Sequence, residues 1–470
     1  MVGLIALGFC FLVIWQLFRL NREENVRTSK ALWIPTFWVF IAASRNVSAW
    51  LQYSGSGADQ YLEGSPMDRA VLSAALALGL VILFSRAGRT NLLLRSNLPI
   101  LLYFFYCGIS FIWSDFPDVS FKRWFRAIGD VVMVLIVLSD LDWVAATRRL
   151  LTRVGFVVAP LSIVFIRYFP QMGRSFTHAG GVTWTGVATD KNGLAMICLI
   201  FGLAAIFRFL ELYRVEKVNR QRRPLIANGA VILMSLYLLW EANSATAFSC
   251  FFLAGAPMTL TYLYRWARKP AFVNTMVSAA IGVAFSTLFL SIGSGMLANL
   301  GRDTTLTGRT NIWHFSLGLV QNPLLGAGFE SFWLGPRLKQ MMILLNQGVN
   351  QAHNGYIEIY LNLGWVGVVL LAVILITGYR RILVAVGGIA PMASLRLAYF
   401  IVAVVYNFTE AGFKMMHPVW LALLLVTMIV PELQQPEQPP STGIRPLVEI
   451  TKFQPRPVRS AVRAKQVVRS

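Results

Sequence analysis

Long apolar runs separated by short polar segments recur along the chain as far as about residue 431. An α-helix needs about 20 residues to cross a bilayer, and the runs lack the alternation of a membrane β-barrel. The pattern predicts an all-α, polytopic bundle of about 12 or 13 transmembrane helices. The expected spans are roughly 2–20, 31–50, 70–86, 98–113, 125–141, 154–170, 193–213, 225–243, 246–264, 271–292, 355–377, 395–409 and 416–431.

Composition agrees with a membrane protein. The chain is 56% hydrophobic and 13% charged, with a mean hydropathy of +0.60, whereas soluble domains carry about 25% charged residues. The net charge of +21 is concentrated in every second loop. By the positive-inside rule these loops are cytoplasmic, so we expect the N-terminus outside and the C-terminus inside. The charge therefore orients the chain against anionic lipids, and it does not indicate nucleic acid.

Three segments differ in pattern. Residues 1–224 are expected to form an N-terminal transmembrane bundle. Residues 225–432 are expected to form a membrane core that includes a large outer loop at 293–352. Residues 433–470 are basic, rich in Pro and Gln, and expected to be disordered in the cytoplasm.

The large outer loop contains an amphipathic pattern. Ile312, Phe315, Leu319 and Val320 recur at helical spacing. They predict a helix that lies on the membrane surface or covers a cavity.

His353 stands where this loop enters an apolar run. Asn354 is a good N-cap for the following helix, and the positive end of the helix dipole favours a neutral imidazole at His353. Neutral imidazole can accept a proton, so a general base is one interpretation. Glu358, one turn later, could orient a substrate or the imidazole. The alternative is that His353 only helps to cap the helix, and the residues alone leave both open.

Several segments together resemble the O-antigen ligase and polysaccharide polymerase superfamily, over about residues 40–430. Two of them, EGSPMDRAV and SDFPDVSFKRW, are similar to its exopolysaccharide-polymerase branch. Four matching segments are 63–71, 114–124, 184–195 and 308–332. The fifth begins at His353-Asn354 and, after nine further residues, ends in Gly364-x-x-Gly367.

The resemblance implies a multi-helix glycosyltransferase of the bacterial inner membrane, with its active site on the periplasmic side. Its donor would be an undecaprenyl-diphosphate-linked oligosaccharide. It would polymerise exopolysaccharide or O-antigen repeat units, or, as a ligase, transfer the glycan to lipid A core or another acceptor. A polysaccharide transporter without catalysis is a third class. Further implied partners are inner-membrane lipids, a flippase and a chain-length regulator.

The resemblance also implies site roles. It gives His353 the role of the base and Arg309 that of a diphosphate ligand. Arg174, Lys191 and Arg302 are further phosphate candidates, because cations stabilise the departing diphosphate; anchoring to lipid heads is the alternative for each. Asn354, Glu358 and Glu410 are supporting candidates.

One position departs from the superfamily. Related chains often carry an arginine where this chain has Ala245, within EANSATAF. Either Arg174 replaces that arginine or this branch handles the diphosphate differently. The outer acidic residues show no metal-ligand spacing, so we expect neither a metal nor a cofactor.

Overall fold

The computed structural model describes residues 1–22, 28–52, 64–176, 181–214, 222–289, 307–345 and 348–431. Met1–Pro431 forms one compact unit. The predicted tail at 433–470 lies outside the described residues. Within the Met1–Pro431 unit, helices from both predicted membrane segments pack around one apolar core.

Helices dominate the described secondary structure. Short helical turns occur at Val47–Trp50 and Pro170–Gly173. The longer helices are α1 (Val2–Leu20), α2 (Trp33–Ala42), α3 (Pro66–Ser85), α4 (Ala87–Ser96), α5 (Leu98–Ile109), α6 (Pro117–Leu138), α7 (Trp143–Tyr168), α8 (Lys191–Arg214), α9 (Arg222–Ala242), α10 (Ala245–Leu263), α11 (Pro270–Phe289), α12 (Thr307–Gly318), α13 (Gly335–Leu345), α14 (Gly355–Gly387), α15 (Ala393–Tyr406) and α16 (Pro418–Thr427).

The structure confirms a polytopic all-α membrane protein, and each of the predicted spans contains a helix. Seven described helices are long and apolar enough to cross a membrane, or eight if the bent pair α4–α5 counts as one span. The segments 30–42, 270–286, 393–406 and 418–427 are shorter apolar helices. The difference from 12 or 13 full-length spans lies in these shorter helices and in α6, which is 22 residues long but carries five charged residues.

Burial separates helices that are equally apolar in sequence. α8 is 72% buried over its most apolar window, and α1 is 11% buried. A helix that is apolar all round belongs either in a core or in lipid. α8 and α15 occupy the core, whereas α1 exposes Phe9, Phe11 and Trp15 at the periphery.

The described strands form one small antiparallel hairpin, in which Arg174–Phe176 pairs with Val182–Trp184. It leads to α8 through the loop 185–190. Arg45 holds this loop from the end of α2, because its guanidinium donates hydrogen bonds to the carbonyl oxygens of Val187 (3.1 Å) and Ala188 (2.7 Å). The start of α8 is thereby fixed against the rest of the bundle.

The predicted amphipathic helix corresponds to α12. Its Ile312 is buried in a second apolar cluster, together with Phe332, Trp333 and Met341. Phe315, Leu319 and Val320 pack against the same cluster. The apolar face of α12 therefore packs against the part of the outer loop described after it and against the entry to α14.

α14 is interrupted at Gly364, whose φ is 62° and ψ is −164°. The segment 323–328 lies in this break. Trp365 and Val366 donate backbone hydrogen bonds to the carbonyls of Pro323 and Leu324, while Ala327 and Gly328 donate to those of Leu361 and Asn362.

Only glycine fits at the two closest points of this break. A Cβ on Gly364 would lie 2.2 Å from the Leu324 carbonyl oxygen, and one on Gly326 would lie 2.5 Å from the Asn362 carbonyl. Both glycines also have positive φ. The G-x-x-G and N-P-L-L-G-A-G motifs thus form a single structural unit.

Candidate functional site: a carboxylate joining a histidine and an arginine

His353 is held at the entrance to α14 by its neighbours. Asn354 is the N-cap, and its side-chain oxygen accepts hydrogen bonds from the backbone N–H groups of Tyr356 (3.0 Å) and Ile357 (3.1 Å). The same side chain donates to the carbonyl of Phe408, 3.0 Å away. His353 has a φ of 50°, in the left-handed region. The cap and this turn together fix the direction of the imidazole.

Glu410 joins the two residues that the sequence analysis assigned to base and phosphate binding. Its Oε2 lies 3.4 Å from Nδ1 of His353, and its Oε1 lies 2.9 Å from Nη2 of Arg309. Asn192 donates a further hydrogen bond to Oε1 at 3.1 Å, and Arg309 also donates to the carbonyl of Thr409. A buried carboxylate needs such charged and polar partners to offset its lost hydration.

This arrangement suits a proton acceptor. The carboxylate faces Nδ1 of His353, which favours the tautomer with the proton on Nδ1 and the lone pair on Nε2. The side chain of His353 is 31% exposed and that of Glu410 is 8% exposed. A solvent-facing imidazole backed by a buried carboxylate can take a proton from a hydroxyl group.

A cavity of about 690 Å³ opens beside this group. Its lining brings together His353, Glu410, Lys191, Lys414 and His417. His417 differs from His353, because its Nδ1 accepts the backbone N–H of Val419 at 3.3 Å and so caps α16. His353 is therefore the better candidate base of these two.

Glu358 supports the segment before His353. Its Oε1 accepts from Nε1 of Trp333 at 2.6 Å, and its Oε2 accepts the backbone N–H of Ala352 at 2.9 Å. Asn362 donates to Oε1 at 3.2 Å. Glu358 thus fixes the peptide that precedes His353, and the carboxylate beside the imidazole is Glu410.

The phosphate candidates separate in space. Lys191 lines the cavity at the start of α8. Arg174 lies in the hairpin, where its Nε donates to the carbonyl of Ile166 at 3.0 Å and its guanidinium stacks 4.7 Å from the Trp184 ring centroid. Arg174 therefore has partners within the protein. Arg302 lies outside the described residues.

Sequence reasoning missed Asn192 and Lys414. Lys414 lines the cavity and donates to Oε1 of Gln351 at 3.1 Å. Asn192 directly follows the candidate Lys191, and that proximity was a usable signal. Lys414 lies in the segment NFTEAGFKMMH beside Glu410, so it could have been included on position alone.

The neighbourhood of Ala245 is also close to this group. Ala245 begins α10, and the hydroxyl of the adjacent Thr246 lies 2.9 Å from that of Thr409. Thr409 in turn binds Arg309 through its carbonyl. Within the described parts of the chain, no group of three or more His, Cys, Asp or Glu residues could hold a metal ion.

The fold and this group define a multi-pass membrane protein with a polar cavity that joins a histidine, a carboxylate and cations. Residues 229–372 match the O-antigen ligase family. The chain is also 25% identical, over 298 residues, to the exopolysaccharide production protein ExoQ of Rhizobium meliloti (strain 1021). That match covers 60% of this chain, and the chain spans 65% of the relative's length. These matches confirm the resemblance to the O-antigen ligase and polysaccharide polymerase superfamily.

Proposed function

We propose that this protein is a membrane glycosyltransferase that polymerises exopolysaccharide or O-antigen repeat units carried on undecaprenyl diphosphate. The observation that carries the proposal is the contact of Glu410, which lines the cavity together with His353, with both His353 and Arg309. The candidate base and the candidate diphosphate ligand thus share a carboxylate, which supports the proposal.

The transfer step uses His353 as the base. The acceptor hydroxyl oxygen forms a bond to the anomeric carbon of the donor sugar, and its proton moves to Nε2 of His353. The bond between the anomeric carbon and the diphosphate oxygen breaks, and its electron pair leaves with the diphosphate. The products are the lengthened glycan and the free polyprenyl diphosphate, with inversion expected at the anomeric carbon.

Cations around the cavity would receive the leaving diphosphate. Arg309 provides a planar guanidinium, and Lys191 and Lys414 provide point charges on the cavity wall. Such fixed charges stabilise the leaving group without a proton donor. We therefore assign this role to Arg309, Lys191 and Lys414, in preference to Arg174.

The proposed location is the bacterial inner membrane, with the site on the periplasmic side. This orientation rests on the basic segments, such as 86–97, which contains α4, and 265–269, because basic segments favour the cytoplasmic side. The segments that build the site, 185–192 and 348–354 among them, fall in the opposite set of loops.

The alternative is an O-antigen ligase that transfers the glycan to lipid A core or another acceptor. It is favoured by the match of residues 229–372 to the O-antigen ligase family. The similarity to an exopolysaccharide production protein favours the polymerase. Both reactions would use the same base and leaving group.

The test compares wild type with His353→Ala, expressed at matched membrane levels in a native host deleted for the gene. Wild type should restore long glycans on the lipid carrier, and His353→Ala should leave single repeat units. In isolated membranes, added imidazole should partly restore the activity of His353→Ala, because it can replace a missing base. The exposed His314 on α12 gives a matched control, His314→Ala, which should behave as wild type.

The glycan analysis separates the outcomes. A ligase would give a different result. The deletion strain would make long carrier-linked chains, and these chains would reach lipid A only when the protein is present. An His353→Ala variant that polymerises normally would reject His353 as the base.

A further inference from the structure

A second cavity lies on the same predicted side of the membrane, beside the catalytic one. Its volume is about 550 Å³, and it lies between the N-terminal parts of α3 and α6 and the outer loop. Asn350 and Lys414 line both cavities. A molecule bound in the second cavity would therefore be separated from the His353 site by a shared wall only.

The second cavity is strongly basic. Among the described residues, its lining contains the cations Arg69, Lys122, Arg123, Arg126 and Lys414, and the single carboxylate Glu330.

Two buried acids, Asp68 and Asp130, lie near this cavity. Asp68 accepts hydrogen bonds from the backbone and side chain of Ser48, and Asp130 accepts from Trp38 and the backbone of Met416. Both carboxylates also act electrostatically on Arg126. With Glu330, three acids therefore oppose the five cations of the lining, and the remaining excess of positive charge favours an anion.

The remaining lining is apolar. Leu72 and Leu76 from α3 and Phe121 and Phe125 from α6 line the same space as the cations. Phe121 and Phe125 are 47% and 43% exposed, so large aromatic surface is available to a ligand. Cations beside exposed aromatic and aliphatic walls fit an amphiphile with a phosphate group and a hydrocarbon chain.

Resting on the function proposed above, we propose that this basic cavity binds the diphosphate and adjoining isoprenoid segment of a second lipid-linked glycan, the acceptor. Polymerisation of carrier-linked units consumes two such lipids, one that donates its glycan and one that accepts it. The His353 cavity would hold the donor diphosphate, and the basic cavity the acceptor diphosphate. The EGSPMDRAV and SDFPDVSFKRW motifs supply Gly64, Arg69, Lys122 and Arg123 to this cavity, which gives them a role in acceptor binding.

A binding experiment tests the site directly. The full chain in nanodiscs of neutral phosphatidylcholine is mixed with geranylgeranyl diphosphate, and occupancy is read by native mass spectrometry. Wild type should bind two molecules per chain, and Lys122→Gln/Arg123→Gln should bind one. Geranylgeraniol, which lacks the diphosphate, should bind to neither cavity. Two bound molecules in the double variant, or one in wild type, would overturn the proposal.

Two variants separate charge from folding. Arg123 also donates to the carbonyl of Glu330, so the single variant Lys122→Glu tests the charge without that contact. Lys339→Glu, on the exposed face of α13, carries the same charge change outside both cavities and should keep two molecules. Equal loss in Lys122→Glu and Lys339→Glu would mean a general surface effect and reject the site.

A kinetic experiment distinguishes this proposal from the proposed function. It uses a donor whose accepting hydroxyl is blocked and a separate acceptor lipid. Lys122→Glu should raise the KM for the acceptor about tenfold, the size of one lost charge-assisted contact, and leave the KM for the donor unchanged. No glycosidic product from wild type would refute the proposed function. Product with an unchanged acceptor KM would refute only the acceptor site.

Anionic phospholipid is the other source of a lipid phosphate. Phosphatidylglycerol is added to the nanodiscs to compete with the bound diphosphates. The second diphosphate should stay bound at equimolar phosphatidylglycerol. Its displacement there would make the cavity a general headgroup site and overturn the acceptor assignment.

Discussion

Glu358 and Glu410 are two buried carboxylates near His353, and their surroundings differ. Glu358 is 6% exposed and accepts hydrogen bonds from neutral donors, the Trp333 indole, the Ala352 backbone and the Asn362 amide. Glu410 is equally buried, since the whole residue is also 6% exposed. It contacts the guanidinium of Arg309 and the imidazole of His353. The same residue type therefore fixes backbone geometry at one position and couples charged groups at the other.

The largest effect should come from Glu410→Gln. The neutral amide keeps the shape but loses the charge that orients the imidazole and binds the guanidinium. We expect polymer formation to fall about 100-fold or more, the usual contribution of general acid–base catalysis. The fall should appear in kcat, with the protein still folded by size-exclusion chromatography of the purified chain.

Glu410→Asp gives the matched control for charge. It should recover part of the activity, because the carboxylate is kept and only its reach is shortened. A Glu410→Gln variant with wild-type kcat would remove the distinction between the two glutamates.

Glu358→Gln should act mainly on stability. Both carboxylate oxygens accept hydrogen bonds, so the amide NH2 must face at least one donor. Leaving a buried donor unsatisfied costs about 1–3 kcal/mol. We expect a lower melting temperature and a smaller loss of kcat than in Glu410→Gln, measured on the same preparations.

The reverse order would contradict the comparison. If Glu358→Gln abolished activity at an unchanged melting temperature, Glu358 would take part in the reaction. The assignment of that role to Glu410 rather than Glu358 would then be wrong.

Arg309→Lys should have an intermediate effect on activity. The guanidinium reaches both the Thr409 carbonyl and Glu410, whereas an ammonium on a shorter side chain cannot reproduce both contacts at their positions. We expect about a tenfold lower kcat/KM, since one charge-assisted hydrogen bond is lost. Steady-state kinetics with the lipid-linked donor would measure this change in kcat/KM. An unchanged KM and kcat would argue against a role for the two-contact geometry of the Arg309 guanidinium.

Asn192→Ala should have the smallest effect. It removes one neutral donor from Oε1 of Glu410, and such a bond contributes about 0.5–1.5 kcal/mol. A few-fold lower kcat is expected in the same assay. A loss as large as that of Glu410→Gln would mean that Asn192 contacts the substrate itself.

The parts of this site that depend on neighbouring residues could be predicted from the sequence. The Asn354 cap, the position of His353 before it and the α12 face at Ile312 all follow from local spacing. The pairing of Glu410 with Arg309 joins positions 101 residues apart, and local patterns carry no information about such contacts. Arg174 was a candidate because of its charge. Only the fold shows that its guanidinium stacks on Trp184 and donates a hydrogen bond to the carbonyl of Ile166.

The same limit applies to the glycines. Two glycines at the spacing of Gly364 and Gly367 predict, from the sequence alone, that a neighbouring helix approaches closely. The structure instead places the loop segment 323–328 against Gly364. Gly367 packs against Leu363 and Ile359 within α14.

Because of the break at Gly364, the first part of α14 sets both the distance and the rotation about the helix axis between its two ends. One end is held to the outer loop by backbone hydrogen bonds to the carbonyls of Pro323 and Leu324. The other end begins after His353 and the N-cap Asn354. Each residue of an α-helix advances about 1.5 Å and turns about 100°. Inserting or deleting one residue between positions 355 and 363 would therefore swing His353 by about 100° away from Glu410, although every side chain of the site would still be present.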